Sequence, residues 1–211
     1  MKNILVIGAA GQIGSELVPA LRKLGFMTVA GFSRTPLTPE LAAGGPSERI
    51  DILDGTGLVD VIRRHRIDTV FNLAAMLSAK AEAQPLSAWN VGVNGLLNVL
   101  EAARIEHCAV FTPSSIGVFG DSTPHAKTPQ DTVCRPKTVY GITKVTGELL
   151  SDYYFLKYGV DTRSVRYPGL ISSVTPPGGG TTDYAVDIFY SAVRGETYVC
   201  PIAAGTFLPM M

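Results

Sequence analysis

Gly8-Ala9-Ala10-Gly11-Gln12-Ile13-Gly14 follows the apolar run Asn3 to Ile7 and opens a stretch in which Ile13, Leu17, Leu21 and Leu24 recur at helical spacing. In a strand, turn and helix sequence each glycine has its own task. The first permits the tight turn, the second lets backbone approach a pyrophosphate, and the third lets the helix pack closely on the strand. The helix N-terminus supplies N–H groups and the positive end of its dipole to phosphates. The stretch therefore predicts a dinucleotide site built from Gly8, Gly11, Gln12, Ile13 and Gly14. Gly25 is the expected helix stop, and Pro19 predicts a local kink, since proline removes one backbone hydrogen bond.

Beyond this unit, apolar runs alternate with helical patterns. Strands are expected at Asn3 to Ile7, Thr28 to Phe32, Glu48 to Leu53, Thr69 to Leu73, Ala109 to Thr112 and Thr162 to Tyr167. Helices are expected at Leu58 to Arg64, Ser87 to Ala103, Thr138 to Lys157 and Asp183 to Arg194, with a short strand near Tyr198. The alternation predicts a Rossmann-type α/β fold with a doubly wound parallel sheet. Residues 1–170 read as the dinucleotide-binding domain and 171–211 as the start of a small substrate lobe. The boundary is the texture change at Pro176-Pro177-Gly178-Gly179-Gly180-Thr181-Thr182, an irregular loop where such sheets bind ligands.

Lysine and arginine match aspartate and glutamate at 18 each, so the whole-chain field offers nothing to nucleic acid or anionic membranes. Cys108, Cys134 and Cys200 are odd in number, far apart and without metal-ligand spacing, which suits reduced thiols in a cytoplasmic protein. No apolar stretch reaches membrane-spanning length.

The second strand ends in Gly31-Phe32-Ser33-Arg34, where an acidic residue would bind the adenosine ribose hydroxyls of NAD. Ser33 and Arg34 could instead receive the 2′-phosphate of NADP, or Arg34 could be a solvated loop cation stacking on adenine. Asp51 and Ile52, ending the third strand, are placed to touch adenine. Asn72-Leu73-Ala74-Ala75 ends the fourth with small residues, which lets backbone come close to a cofactor.

Tyr140 and Lys144 stand four apart on a predicted helix and so share a face. A phenol ionises near pH 10, and a neighbouring ammonium favours its charged form, which is what a tyrosine base needs. Ser115 after the fifth strand and Asn94 on the intervening helix complete the constellation. Ser115 is preferred to Ser114 because its spacing of 25 from Tyr140 resembles that of extended short-chain enzymes. His65, His107 and His125 show no pairing pattern and carry no assigned role.

With the glycine loop, Tyr140, Lys144 and Ser115 in place, the chain resembles the extended short-chain dehydrogenases. More narrowly, it is similar to the short-chain-type L-threonine 3-dehydrogenases. The resemblance runs through Leu73-Ala74-Ala75-Met76-Leu77-Ser78-Ala79, Pro113-Ser114-Ser115-Ile116-Gly117-Val118-Phe119-Gly120, Val139-Tyr140-Gly141-Ile142-Thr143-Lys144 and Arg166-Tyr167-Pro168-Gly169-Leu170. Its most specific part is Pro177-Gly178-Gly179-Gly180-Thr181-Thr182-Asp183-Tyr184-Ala185.

The resemblance implies oxidation of the L-threonine hydroxyl to L-2-amino-3-ketobutyrate with hydride transfer to NAD, in a homodimer. It implies that Tyr140 takes the hydroxyl proton, Lys144 lowers the tyrosine pKa and holds the nicotinamide ribose, and Ser115 hydrogen-bonds the reacting oxygen. Asn94, Tyr167 and Leu170 would join the cofactor site, and Ser78, Thr181 and Thr182 would contact the amino acid, whose carboxylate the N–H groups of Gly178, Gly179 and Gly180 could hold.

Two departures stand out. Phe32 replaces the aspartate usual in the family, which leaves NAD against NADP open. Family members also continue past Pro209-Met210-Met211, so the chain reads as a fragment. A nucleotide-sugar epimerase or dehydratase would use the same Ser, Tyr and Lys, and a non-catalytic dinucleotide sensor would keep the same fold.

Overall fold

The computed structural model describes residues 2–172, 178, 180 and 182–211. Six parallel strands form the main sheet: β1 (Asn3–Ile7), β2 (Met27–Phe32), β3 (Ser47–Arg49), β4 (Thr69–Asn72), β5 (Ala109–Phe111) and β7 (Thr162–Arg163). Their order is β3-β2-β1-β4-β5-β7, so the topology reverses between β1 and β4. That switch point, at the strands' carboxyl ends, is where doubly wound sheets open a crevice. A separate parallel pair, β6 (Ser114–Ser115) and β8 (Arg166–Tyr167), extends the sheet's edge toward it.

Alternation along the strands sorts the core into two layers. Leu5, Ile7, Val29, Val70 and Val110 pack under α3 (Gly55–His65), α6 (Gly95–Glu106) and α7 (Val139–Tyr158). Ile4, Val6 and Ala30 pack under α1 (Gln12–Lys23) and α2 (Pro39–Ala43), where Val18 and Leu21 are buried. α1 runs unbroken through Pro19, and Gly25, with φ +86°, follows its end as expected. Leu24, the last of the residues at helical spacing, is exposed, and Val18 is fully buried.

Other expectations shift in detail. The third strand stops at Arg49, because Asp51 accepts the Leu53 N–H (3.0 Å) and turns the chain into α3, capped by Asp54. The expected sixth strand divides into β7 and β8. The long helix from Ser87 divides into α5 (Pro85–Trp89), a π-helical turn at Asn90–Asn94, and α6, while α4 (Ser78–Ala83) precedes it. α8 (Tyr184–Arg194) forms where expected. No strand occurs near Tyr198; the late pairing is instead a parallel bridge between Gly169 and Met210. Among the described residues, no helix is long and apolar enough to cross a membrane.

Candidate active site

A cleft of about 600 Å³ opens beyond the carboxyl ends of β1 and β4 and runs from the glycine turn to α7. At one end Gly8 adopts φ +85°, open to glycine and costly for other residues. Gly8 and Ala9 both donate their N–H groups to the Gly31 carbonyl, at 3.0 and 2.9 Å, which fixes the turn against β2. A Cβ on Gly14 would stand 2.3 Å from the Gly8 carbonyl oxygen, so only glycine lets α1 start this close to the turn. Gly11 caps α1 without a side-chain acceptor, which leaves the first-turn N–H groups to an anion.

At the other end Thr138 caps α7, accepting the Gly141 N–H at 3.0 Å, and so presents Tyr140 on the first turn. Lys144 follows one turn later, its Nζ 5.6 Å from the centre of the Tyr140 ring and donating to the Pro113 carbonyl at 2.7 Å. Ser115 sits on β6 and accepts the Gly117 N–H at 3.1 Å; a Cβ on Gly117 would stand 3.4 Å from Ser115 Oγ and 3.2 Å from the Tyr140 ring, so the serine and the tyrosine flank the same glycine. Ser114, the neighbour rejected on spacing, is buried and bonded to Glu148.

The electrostatics differ from the expectation that Lys144 lowers the tyrosine pKa. Burial pushes the Tyr140 phenol up, and the Ser115 hydroxyl beside it only partly opposes the shift. Burial also brings Lys144 down to about 8. The ammonium is engaged by a backbone carbonyl rather than by the phenol, so desolvation outweighs the pair in this arrangement.

Of the residues expected to hold the cofactor, Gly8, Gly11, Gln12, Ile13, Gly14, Leu73, Ala75, Tyr140, Lys144, Tyr167 and Leu170 line the cleft. Ala74 lines a small adjoining cavity behind Lys144. Ser33 and Arg34 are exposed just past β2, outside the cleft lining, and so is Asp51 past β3. Ile52 is buried against Gly95, as part of the core. Asn94, in the π-helical turn, is exposed, donates to Asn90 Oδ1 at 2.9 Å and is not among the residues lining the cleft.

Of the expected substrate contacts, Ser78, Ser115, Gly180 and Thr182 line the cleft, and Gly178 lies beside Leu77, itself a cleft residue. The Gly180 N–H is engaged by Asp183 Oδ2 at 2.8 Å, so it is not free for a carboxylate here. Gly179 and Thr181 lie outside the described residues. The sequence reading missed Phe119 and Lys137, and read Asn72 only as part of a strand end; Asn72 is 3% exposed, borders the cleft and leaves its Oδ1 without a partner. Its position at the last residue of a strand ending at the switch point was the available signal.

Residues 4–196 match the NAD dependent epimerase/dehydratase family. The chain belongs to that family. An uncharacterized epimerase/dehydratase of Staphylococcus aureus (strain MRSA252) is 50% identical over 213 residues, covering 100% of this chain and 66% of that protein. The chain thus spans about two thirds of the length of the curated relatives it matches. The X-ray structure of L-threonine dehydrogenase from Clostridium difficile is 51% identical with TM-score 0.94, covering 100% of this chain and 67% of that one. UDP-glucose 4-epimerase from Thermotoga maritima, with UDP-glucose, is 26% identical with TM-score 0.83, covering 92% and 64%. The likeness to L-threonine dehydrogenases read from the motifs is therefore borne out, as is the Rossmann-type fold.

The residues present fit a dinucleotide of the kind this epimerase/dehydratase family is named for. The glycine turn has no room for a Cβ at Gly14, the first turn of α1 lacks a capping side chain, and the cleft has the size of a ligand pocket.

Proposed function

We propose that the chain forms the dinucleotide-binding part of an L-threonine 3-dehydrogenase, which oxidises the threonine hydroxyl to the ketone of L-2-amino-3-ketobutyrate. The observation that carries this reading is the meeting of Ser115, Tyr140 and Lys144 in the same cleft as the glycine turn. The relatives' names direct it to threonine. When bound, the nicotinamide dinucleotide accepts the hydride from the hydroxyl-bearing carbon. Gly8, Gly11 and the first turn of α1 would hold its pyrophosphate, and Tyr167 and Leu170 would border its nicotinamide.

Ser115 orients the substrate hydroxyl, and Tyr140 takes its proton at the phenolic oxygen. Lys144 is the cation one helical turn from the phenol, and its pKa, brought down to about 8 by burial, places it among groups able to exchange a proton near neutrality. Ser78 and Thr182 would contact the amino acid. Leu149, Phe155 and Leu156, exposed on α7, support pairing of two copies along that helix.

The cofactor choice turns on Phe32, Ser33 and Arg34. Supplying L-threonine with NAD or NADP in turn to the chain extended past Met211, and following absorbance of reduced nicotinamide, tests both points. Reduction with one cofactor supports the reading and assigns it. No reduction with either, alongside interconversion of UDP-glucose and UDP-galactose, would give the site to the epimerase chemistry of its more distant relative.

A further inference from the structure

β6 and β8 are two residues each, and an isolated two-stranded pair is too small to hold itself in place. Yet β6 carries Ser115 and β8 carries Tyr167, so the site depends on where this pair sits. Three contacts join it to one face of α7, where Tyr140, Lys144 and Glu148 follow at intervals of four. Lys144 holds the Pro113 carbonyl, Glu148 holds Ser114, and Tyr140 flanks Gly117 beside Ser115 Oγ.

The middle contact reaches both strands. Glu148 Oε1 accepts from Ser114 Oγ at 2.5 Å and from Arg166 Nε at 2.8 Å, and Oε2 accepts from Arg166 Nη2 at 2.7 Å. Ser114 and Arg166 are partners in the parallel register, and the next partners are Ser115 and Tyr167, both in the cleft. One carboxylate therefore grips the first rung, and the second rung is the functional one. Arg166 extends the grip: its guanidinium lies 5.5 Å from the centre of the Phe119 ring, and Nη1 donates to the Gln130 carbonyl at 3.1 Å. Both side chains are about four-fifths buried, at 19% and 21% exposure, and a forked pair of this kind fixes orientation as well as distance.

We propose that Glu148 and Arg166 are positioning residues that set where Ser115 stands against Tyr140, through Ser114 and the β6–β8 rung. Their role rests on the reading of Tyr140 as the proton acceptor. The decisive change is Glu148→Gln with Arg166→Gln, which removes the clamp without altering net charge, so a shift at Tyr140 reports geometry.

The probe is fluorotyrosine, whose phenol ionises at lower pH, incorporated throughout the chain and followed by fluorine NMR. Tyr140→Phe assigns the signal. The double variant is expected to raise the Tyr140 midpoint, lowering its ionisation constant about tenfold, the size of one hydrogen bond to a charged group. Ser115→Ala should shift it equally, and adding Ser115→Ala to the double variant should give no further shift.

A Tyr140 midpoint unmoved in the double variant, or a full additional shift on adding Ser115→Ala, overturns the proposal. Should the double variant fail to fold, Glu148→Asp keeps the charge but retracts the carboxylate, and must raise the midpoint in the same direction. The titration needs no substrate, so failure of threonine oxidation leaves its outcome interpretable.

Discussion

Replacing Lys144 by methionine should make the protein more stable at neutral pH while abolishing any chemistry that needs the ammonium. Folding brings this side chain from an ordinary value of 10.5 to about 8, through burial. Each tenfold change in proton affinity corresponds to about 1.4 kcal/mol, so carrying the charged form into the fold costs about 3 kcal/mol at pH 7. Against this stands the bond to the Pro113 carbonyl, whose loss leaves a buried acceptor unpaired at about 1–3 kcal/mol. Methionine fills nearly the same volume, so the expected net gain is about 1 kcal/mol, or about 2–4 °C in Tm for a chain of this size.

The pH dependence is the sharper signature. With the folded value below the unfolded one, the unfolded chain binds the extra proton between pH 8 and about 10.4, and native stability climbs with pH across that window. The variant should lose that climb. Urea denaturation of both proteins at pH 7, 8, 9 and 10 gives the comparison. A Lys144→Met protein that is less stable at pH 7 and keeps the same alkaline slope would refute the reasoning, since it would mean that the ammonium is not desolvated.

Gly14→Ala places a methyl against the Gly8 carbonyl and the Ala9 backbone, neither of which is a flexible side-chain end. It should cost about 1–3 kcal/mol, more than the roughly 1 kcal/mol that alanine gains over glycine in a helix, and should weaken NAD binding measured by calorimetry. Cys108, buried and pushed up to about 12, should resist a thiol reagent at pH 8. Titration of the native protein should find Cys200 quickly, Cys134 more slowly, and a third thiol only after denaturation. Among the carboxyls that lie below their ordinary values are Glu48 beside His65, Glu101 beside Arg104 and Tyr154, and Glu148, where Arg166 and Ser114 together outweigh burial. Their contribution is present above the unfolded carboxylate value of about 4.3 and is lost as pH falls through the folded values, so stability should decline below about pH 4.5. Glu148→Gln should show a flatter acid limb in the same denaturation series.

The sheet and the glycine turn were legible because both are written in local pattern: buried parallel strands read as apolar runs, and Gly8, Gly11 and Gly14 carry a spacing with a steric cause. Tyr140 and Lys144 were legible for the same reason, being one helical turn apart. What the pattern could not carry was long-range. Asn94 lay at a plausible helical position, but the local pattern did not show that it would fall in a π-helical turn, bonded to Asn90. The third strand was read through Leu53 because Ile50 and Ile52 are apolar, whereas the Asp51 side chain competes for the backbone and ends it early. The direction of the Tyr140 shift depends on burial by residues far apart in sequence. Asn72 was visible only as a strand end until the neighbouring strands showed what it faces.

The face of α7 that carries Tyr140, Lys144 and Glu148 also limits how this stretch of chain can vary. Each residue of an α-helix turns the next by about 100° and advances it 1.5 Å. Deleting a single residue between Tyr140 and Glu148 would swing at least one of the three partners a quarter turn off the strand it touches, even if every side chain were retained. Length changes in this region should therefore be confined to the loop before Thr138 or to the segment after Gly159, where the reading frame of the helix is no longer in use.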